Sequence, residues 1–328
     1  MSDFQVDVTK GSEFILQDQA EASVKNWRGV ESLCLNGLAI LPHLSISEGS
    51  IDVYVGSDEA SYCGIAFRIS DPLNYELAYG QPHTSGRWDA LQYDPVFRGM
   101  NTWQIYHGVG AQQTVEIPMG DWFHLRVDFK DRRAVIRLND QPPLVVPQLA
   151  HGHEKGLIGL WSYKPAYFRD LRISDSSRIS DMNFIDTNES MPEGVITKWF
   201  LHDYGLVTCE ANGRLNLHRY LPASVSEARL TRKFELNNES TVTLKYGFSD
   251  EITLFIDGKI VFEGEKKFTI SSEWNDQGYV SFSHELTLPL SSGAHCIDIR
   301  LKRTETFGFG FCLSLLNDQL AKDEQMFF

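Results

Sequence analysis

Alternation of apolar and polar residues with a period of two, repeated along the chain and broken by turn residues, most narrows what this sequence can fold into. SIDVYV (50–55) sets Ile51, Val53 and Val55 against Asp52 and Tyr54. GIAFRIS (64–70) sets Ile65, Phe67 and Ile69 against Ala66 and Arg68, and WFHLRVDFK (122–130) gathers Phe123, Leu125, Val127 and Phe129 on one side. Successive side chains of a strand point to opposite faces, so each of these segments has one face to bury. AVIRLN and GLIGLWS continue the pattern, with the turn clusters SDPLN, LNDQPP and HGHEKG between them. Helical periodicity is almost absent, and AEASVKNW near residue 20 is the best short candidate. The expectation is an all-β chain of two β-sandwich, or jelly-roll, domains in tandem.

A length of 328 residues suits two or three domains. Residues 174–194 lose the alternation and gain Ser, Asp and Asn, which reads as a linker. The expected division is a first domain over 1–178, a linker over 179–194 and a second domain over 195–328. The second half holds Asn212-Gly213 and Asp257-Gly258, the two dipeptides that best fit tight hairpin turns because both tolerate positive φ.

Charge and composition remove several function classes. A net charge of −14 with no local basic patch argues against nucleic acid and membrane surfaces as partners. No apolar run approaches the length of a membrane span. The five cysteines show no CxxC spacing and mostly sit in apolar, strand-like runs, as small buried hydrophobes do. The start, MSDFQVDVTKGSEF, lacks a basic region followed by an apolar stretch, so a cytoplasmic location with reduced thiols is expected.

Polarity concentrates in PHTSGRWDALQYDPVFRGMNTWQIYHG (82–108), where His83, Arg87, Asp89, Gln92, Tyr93, Trp103, Gln104 and Tyr106 accumulate. A loop with this many aromatic residues is packed rather than disordered. Aromatic faces beside planar hydrogen-bonding groups suit a sugar, whose C–H face stacks while its hydroxyls bond. An internally bonded Ω-type loop explains the same residues without any ligand. SDPLN closes a hairpin whose register, centred on Pro72, sets Arg68 opposite Glu76, either as a surface ion pair or as the floor of a groove.

GIAFR, YELAY, PHTSGRWDALQYDPVF and WQIYHG, followed by DWFHLRVDF and YFRDLRIS, resemble the concanavalin A-like lectin/glucanase superfamily. Within it, the laminin G-like members and the family named for 3-keto-disaccharide hydrolysis are most similar, over roughly residues 30–175. The resemblance implies a curved jelly roll whose concave face binds or hydrolyses glycans through Arg68, Glu76, His83, Arg87, Asp89, Gln92 and Gln104. This chain departs from it at Gln81, where related sequences lead one to expect Arg. The second half resembles galactose-binding-like β-sandwiches, with Phe307-Gly308-Phe309-Gly310 where similar sequences carry Gly-Trp-Gly.

A glycosidase needs two carboxyls across one bond, roughly 5 to 10 Å apart. No ExDxE-like run supplies them, so Glu76 and Asp89 with His83 as general base are the catalytic candidates. Arg68, Arg87, Gln92, Tyr93, Trp103, Gln104 and Tyr106 are the binding candidates. Three readings stay open: a carbohydrate-recognition protein, a cofactor-free enzyme on a glycoside or other hydroxylated small molecule, and a protein-interaction module. No cofactor is called for, and a structural Ca2+ and a homodimer stay open. His151, Gly152 and His153 with Glu154 read as a polar turn rather than a metal site, and in the second half Asp250, Asp257 and Trp274 read as structural or rim residues.

Overall fold

The computed structural model describes residues 3–175, 191–317 and 326–327, so most of the expected linker lies outside the described residues. The chain divides into two compact units, Met1–Gly99 with Tyr106–Asn188, and Met100–Ile105 with Glu189–Phe328. The segment Met100–Ile105, which the sequence places in the first domain, is therefore part of the second unit.

The strands of the first unit are β1 (Asp3–Val6), β2 (Ile15–Leu16), β3 (Glu21–Trp27), β4 (Val30–Ile46), β5 (Gly49–Gly56), β6 (Tyr62–Asp71) and β7 (Asn74–Gly80). They continue with β8 (Leu91–Tyr93), β9 (Gln112–Gln113), β10 (Phe123–Lys130), β11 (Arg133–Leu138), β12 (Leu144–Val146) and β13 (Gly156–Ser174). One hydrogen-bonded ladder runs β12-β11-β10-β5-β13-β6-β7-β8-β9. β13 serves both ends of it: Leu157–Tyr163 pairs with β6, and Tyr167–Ser174 pairs with β5. The two ends pack face to face. Phe67 on β6 lies 5.2 Å, ring to ring, from Phe129 on β10. A Cβ at Gly80 on β7 would stand 3.3 Å from both Phe123 and Leu138 on the facing strands. Ile51, Val53, Val55, Phe123, Leu125, Val127 and Phe129 are fully buried, as their alternation requires. Each such side chain contributes about 1.5–3 kcal/mol of transfer free energy.

Two local expectations fail. AEASVKNW is not helical; Glu21–Trp27 is strand β3, paired with β4 from Glu21↔Asn36 to Trp27↔Val30. So short a helix would not stand alone in water, whereas pairing with β4 satisfies the backbone. In β6, regular pairing with β7 breaks after Phe67↔Glu76, and Arg68 takes φ +47°. This bulge turns Ile69 to the face of Ala66, where it packs with Leu77 and Tyr79 rather than with Phe67. Glu76 is consequently opposite Phe67, not Arg68.

The second unit contains β14 (Lys198–Leu201), β15 (Gly205–Thr208), β16 (Leu215–Asn216), β17 (Glu227–Leu236), β18 (Ser240–Phe248) and β19 (Asp250–Ile256). β20 (Lys259–Lys266), β21 (His284–Leu290), β22 (Gly293–Lys302), β23 (Gly310–Leu316) and β24 (Met326–Phe327) complete it. One sheet has the order β15-β14-β17-β22-β19-β20, with β24 added to β17, and the other β16-β23-β18-β21. Trp199 of the first sheet meets Phe311 of the second at 4.9 Å within a core that includes Leu230, Phe234, Leu254 and Ile299. Asp257 at φ +52° and Gly258 at φ +77° close the β19–β20 hairpin as expected. Asn212-Gly213 also turns, with Gly213 at φ +77°, but β15 and β16 on either side lie in different sheets and form no hairpin. All five cysteines are free, and burial pushes the thiols of Cys63 and Cys312 up to about 12.

Candidate functional site

The loop between β7 and β8 is held by its own hydrogen bonds. Gln81 N donates to the Ala90 carbonyl at 2.8 Å, Thr84 N to the Gln81 carbonyl at 3.0 Å and Arg87 N to the Thr84 carbonyl at 2.9 Å. The Gln81 side chain, in the position where the resemblance leads one to expect Arg, donates to the Asp89 carbonyl at 2.5 Å. Ser85 Oγ donates to Glu116 Oε2 and accepts from Ile117 N, both at 2.8 Å, fixing the tip of the loop. The Ω-type frame and a ligand site are therefore compatible, because the frame leaves three polar atoms over.

Those atoms lie around Arg87 and Asp89. Arg87 Nη2 donates to Asp89 Oδ2 at 3.1 Å, and the Asp89 side chain is only 7% exposed. Asp89 Oδ1, Arg87 Nε and His83 Nδ1 are each buried with no protein partner. Buried polar atoms without partners are rare enough to need an explanation. Tyr62, at the start of β6, meets the His83 ring edge-on at 4.9 Å. Its phenol is raised by burial and by the nearby charge of Asp89. Arg87 also lies over the Trp88 ring at 4.8 Å. Burial raises the Asp89 carboxyl above the usual aspartate range, although Arg87 pulls it down. Burial lowers His83, a hydrogen bond to the Ser61 backbone opposes this, and the charges of Arg87 and Lys164 act with burial, so the net effect favours the neutral imidazole. The cluster thus offers one acceptor, one cationic donor, one neutral imidazole and an aromatic edge.

Strand alternation decides which other candidates join it. Tyr79 is opposite both Gly64 and Gln92, so Tyr79 and Gln92 share the face that Tyr62 occupies two residues before Gly64. Tyr79 Oη donates to Gln92 Oε1 at 2.9 Å beneath the cluster, and the Tyr79 ring lies 6.0 Å from that of Tyr62. Glu76, one residue out of phase with Tyr79 and Leu77, belongs to the opposite face with Ala78 and Tyr93. It is fully buried and accepts from Tyr93 Oη at 2.6 Å and from His151 N at 2.9 Å. Tyr93 Oη in turn accepts from Ala150 N at 2.7 Å. Burial raises the Glu76 carboxyl, partly offset by these hydrogen bonds and by Arg68. Glu76 is thus separated from His83 and Asp89 by the thickness of the sheet and is committed to holding the 150–151 backbone.

The remaining candidates are dispersed. Arg68, 2% exposed, donates from Nη1 to the Asp131 carbonyl at 2.6 Å and from Nη2 to the Glu154 carbonyl at 2.9 Å, a clamp on two turns. Tyr106 meets Tyr93 edge-on at 6.1 Å on the buried side. Trp103 and Gln104 belong to the second unit. There Trp103 packs against Phe268, Tyr279 and Phe307, and Gln104 Nε2 donates to the Gln277 carbonyl and to Glu305 Oε2, each at 3.2 Å. His151, buried at a bend, stacks on Phe97 at 4.1 Å and on His153 at 4.9 Å. Among the described residues, no group of three His, Cys, Asp or Glu is placed to hold a metal ion. Sequence reasoning missed Tyr62 and Tyr79, although extending the alternation of Ala66 back through Gly64 places Tyr62 on this face.

No family model matches the chain, and no curated protein matches its sequence. Solved structures that it is similar to include the carbohydrate-binding module CBM66 from Bacillus subtilis, 16% identical over 47% of this chain and 92% of that one, with a TM-score of 0.36. A Bacillus subtilis protein of unknown function with a galectin-like fold is 12% identical over 53% of this chain and 96% of its own, with a TM-score of 0.39. Domain 4 of AbnA, a GH43 extracellular arabinanase from Geobacillus stearothermophilus solved with arabinotriose, is 13% identical over 48% of this chain and 76% of its own, with a TM-score of 0.30.

Proposed function

We propose that the first unit binds a neutral saccharide through Tyr62, His83, Arg87 and Asp89. One observation carries this: three buried polar atoms, Asp89 Oδ1, Arg87 Nε and His83 Nδ1, lack protein partners within one loop cluster beside an aromatic ring. A sugar hydroxyl both donates and accepts, so one hydroxyl satisfies Asp89 Oδ1 with its proton while its lone pairs take the Arg87 or His83 donor. Tyr62 supplies an apolar surface for the C–H face. A second carboxylate on the ligand would meet the unpartnered Asp89 oxygen, which favours neutral over acidic sugars.

The test is calorimetric titration of the full chain with methyl glycosides of neutral hexoses and with glucuronic acid. Asp89→Asn is expected to weaken the best neutral ligand about 10- to 100-fold, the cost of mismatching one buried hydrogen bond. Binding unaltered by both Asp89→Asn and His83→Ala, or preference for the acidic sugar, removes the proposal.

A neutral imidazole beside a carboxyl raised by burial also favours a second reading, proton transfer on a glycoside by His83 and Asp89 without Glu76. Mass spectrometry after incubation with neutral and oxidised glycosides tests it. Turnover abolished in His83→Ala supports this reading, and no turnover in the wild type ends it.

A further inference from the structure

We infer that the site takes a saccharide of at least two units and that Tyr163 is the platform for the second; this rests on the saccharide reading above. Tyr163 is directly opposite Tyr62 in the β13–β6 ladder, and the two rings lie 5.9 Å apart. Tyr62 therefore touches both the His83 ring, at 4.9 Å, and the Tyr163 ring. Tyr163 is 60% exposed, while Tyr62 and Trp161 on the same face are half-buried. A large ring held in water at the rim of a polar cluster gives up burial that its neighbours obtain.

The backbone around it is built, not loose. Ser162 Oγ donates to the Leu35 carbonyl at 2.6 Å, and Ser61 Oγ to the Tyr163 carbonyl at 3.1 Å. Pairing of β13 with β4 shifts register between Ser162 and Ala166, where Lys164 takes φ +71° and its N donates to Asn36 Oδ1 at 3.0 Å. These bonds turn the strand and fix the Cα of Tyr163 while its ring stays free to be covered. A sugar bonded to Asp89 and flanked by Tyr62 would meet Tyr163 as the exposed ring next to Tyr62, a surface on which its glycosidic neighbour can stack. A rigid aromatic platform costs little conformational entropy on binding, which suits a repeated sugar face. Tyr163 hydrogen-bonds to none of the three unpartnered atoms, so the hydrogen bonds of the first sugar do not depend on it.

The experiment compares methyl β-D-glucopyranoside and methyl β-D-galactopyranoside with the β-linked disaccharides of the same units, titrated into the full chain and into Tyr163→Ala and Tyr163→Phe. The expected result is a disaccharide about five- to tenfold tighter than its monosaccharide, from one stacked ring. Tyr163→Ala should erase that gain and leave monosaccharide affinity unchanged, and Tyr163→Phe should keep it. Equal affinity for both ligands, or a loss in Tyr163→Ala that falls equally on both, overturns the two-unit inference and leaves the site itself standing. No binding of any of these sugars overturns both.

Discussion

At the scale of single residues, Glu76 shows how a carboxylate can look catalytic in sequence and be structural in place. It is followed within a short span by His83 and Asp89, yet one step of strand phase sends it to the other side of the sheet. Its oxygens accept the Tyr93 hydroxyl and the His151 amide, so Glu76→Ala leaves two buried donors unpaired and is expected to destabilise the first unit by about 2–4 kcal/mol, readable as a lower urea midpoint. Glu76→Gln keeps the shape and one acceptor, and it is expected to bind the same saccharide with unchanged affinity. A large affinity loss in Glu76→Gln would return this residue to the ligand site. The pH dependence follows from the raised carboxyl: the folded state holds this proton above the ordinary glutamate value, so stability declines as pH rises through that window. Glu76→Gln removes that decline.

At the scale of elements, legibility followed the regularity of the ladder. β5 and β10 pair without a register shift, and their apolar faces were readable residue by residue, although Ser50 and Asp128 on the other face are buried too. β6 begins the same way, but nothing in the composition of GIAFRIS marks the bulge at Arg68, because that bulge answers to its neighbours. A Cβ at Gly156 on β13 would lie 2.6 Å from the Arg68 Cα, so the backbones approach closely at a point that only the folded ladder defines. The loop 81–99 was readable as packed from its aromatic residues, and Tyr93 and Phe97 are buried, whereas the assignment of Met100–Ile105 was not readable, since its partners are remote in sequence. Val280 N donates to the Gln104 carbonyl at 2.9 Å, and Arg214 Nη1 to the Ile105 carbonyl at 2.9 Å. The Gln104 amide lies where Gly278 and Gly308 have no side chain; a Cβ on either would come within 2.4 Å of it. Gly308→Ala is therefore expected to destabilise the second unit by about 1–3 kcal/mol through overpacking. Thermal unfolding checks it, and Gln104→Gly in the same chain should recover part of the loss.

At the scale of the whole molecule, each unit has its own core, and within the second unit two buried histidines respond to acid with opposite sign. His218 lies beside Phe309, and burial, reinforced by the charge of Arg303, lowers it to about 3. The unfolded chain then takes up a proton on acidification that the fold refuses, so this contribution is present above the ordinary histidine value and is lost as pH falls below it. His295 is also buried, which alone would lower it. Its Nδ1 lies 2.7 Å from Asp257 Oδ2 and its Nε2 2.8 Å from the Ser291 carbonyl, and these partners raise it overall. Stability from His295 is fully present below the ordinary histidine value and is lost as pH rises through its higher folded value. Asp257 belongs to the Asp257-Gly258 turn, and its Oδ1 also accepts from Cys296 N at 2.8 Å, so the charge pair fastens the β19–β20 hairpin to β22. Urea unfolding of the second unit between pH 5 and 8 separates the two. His218→Gln should reduce the loss of stability on acidification, and His295→Gln should enlarge it, because the compensating proton is gone. The slopes carry the conclusion whatever each variant does to stability at pH 7. If both substitutions change the slope in the same direction, the assignment of opposite roles to these histidines is wrong.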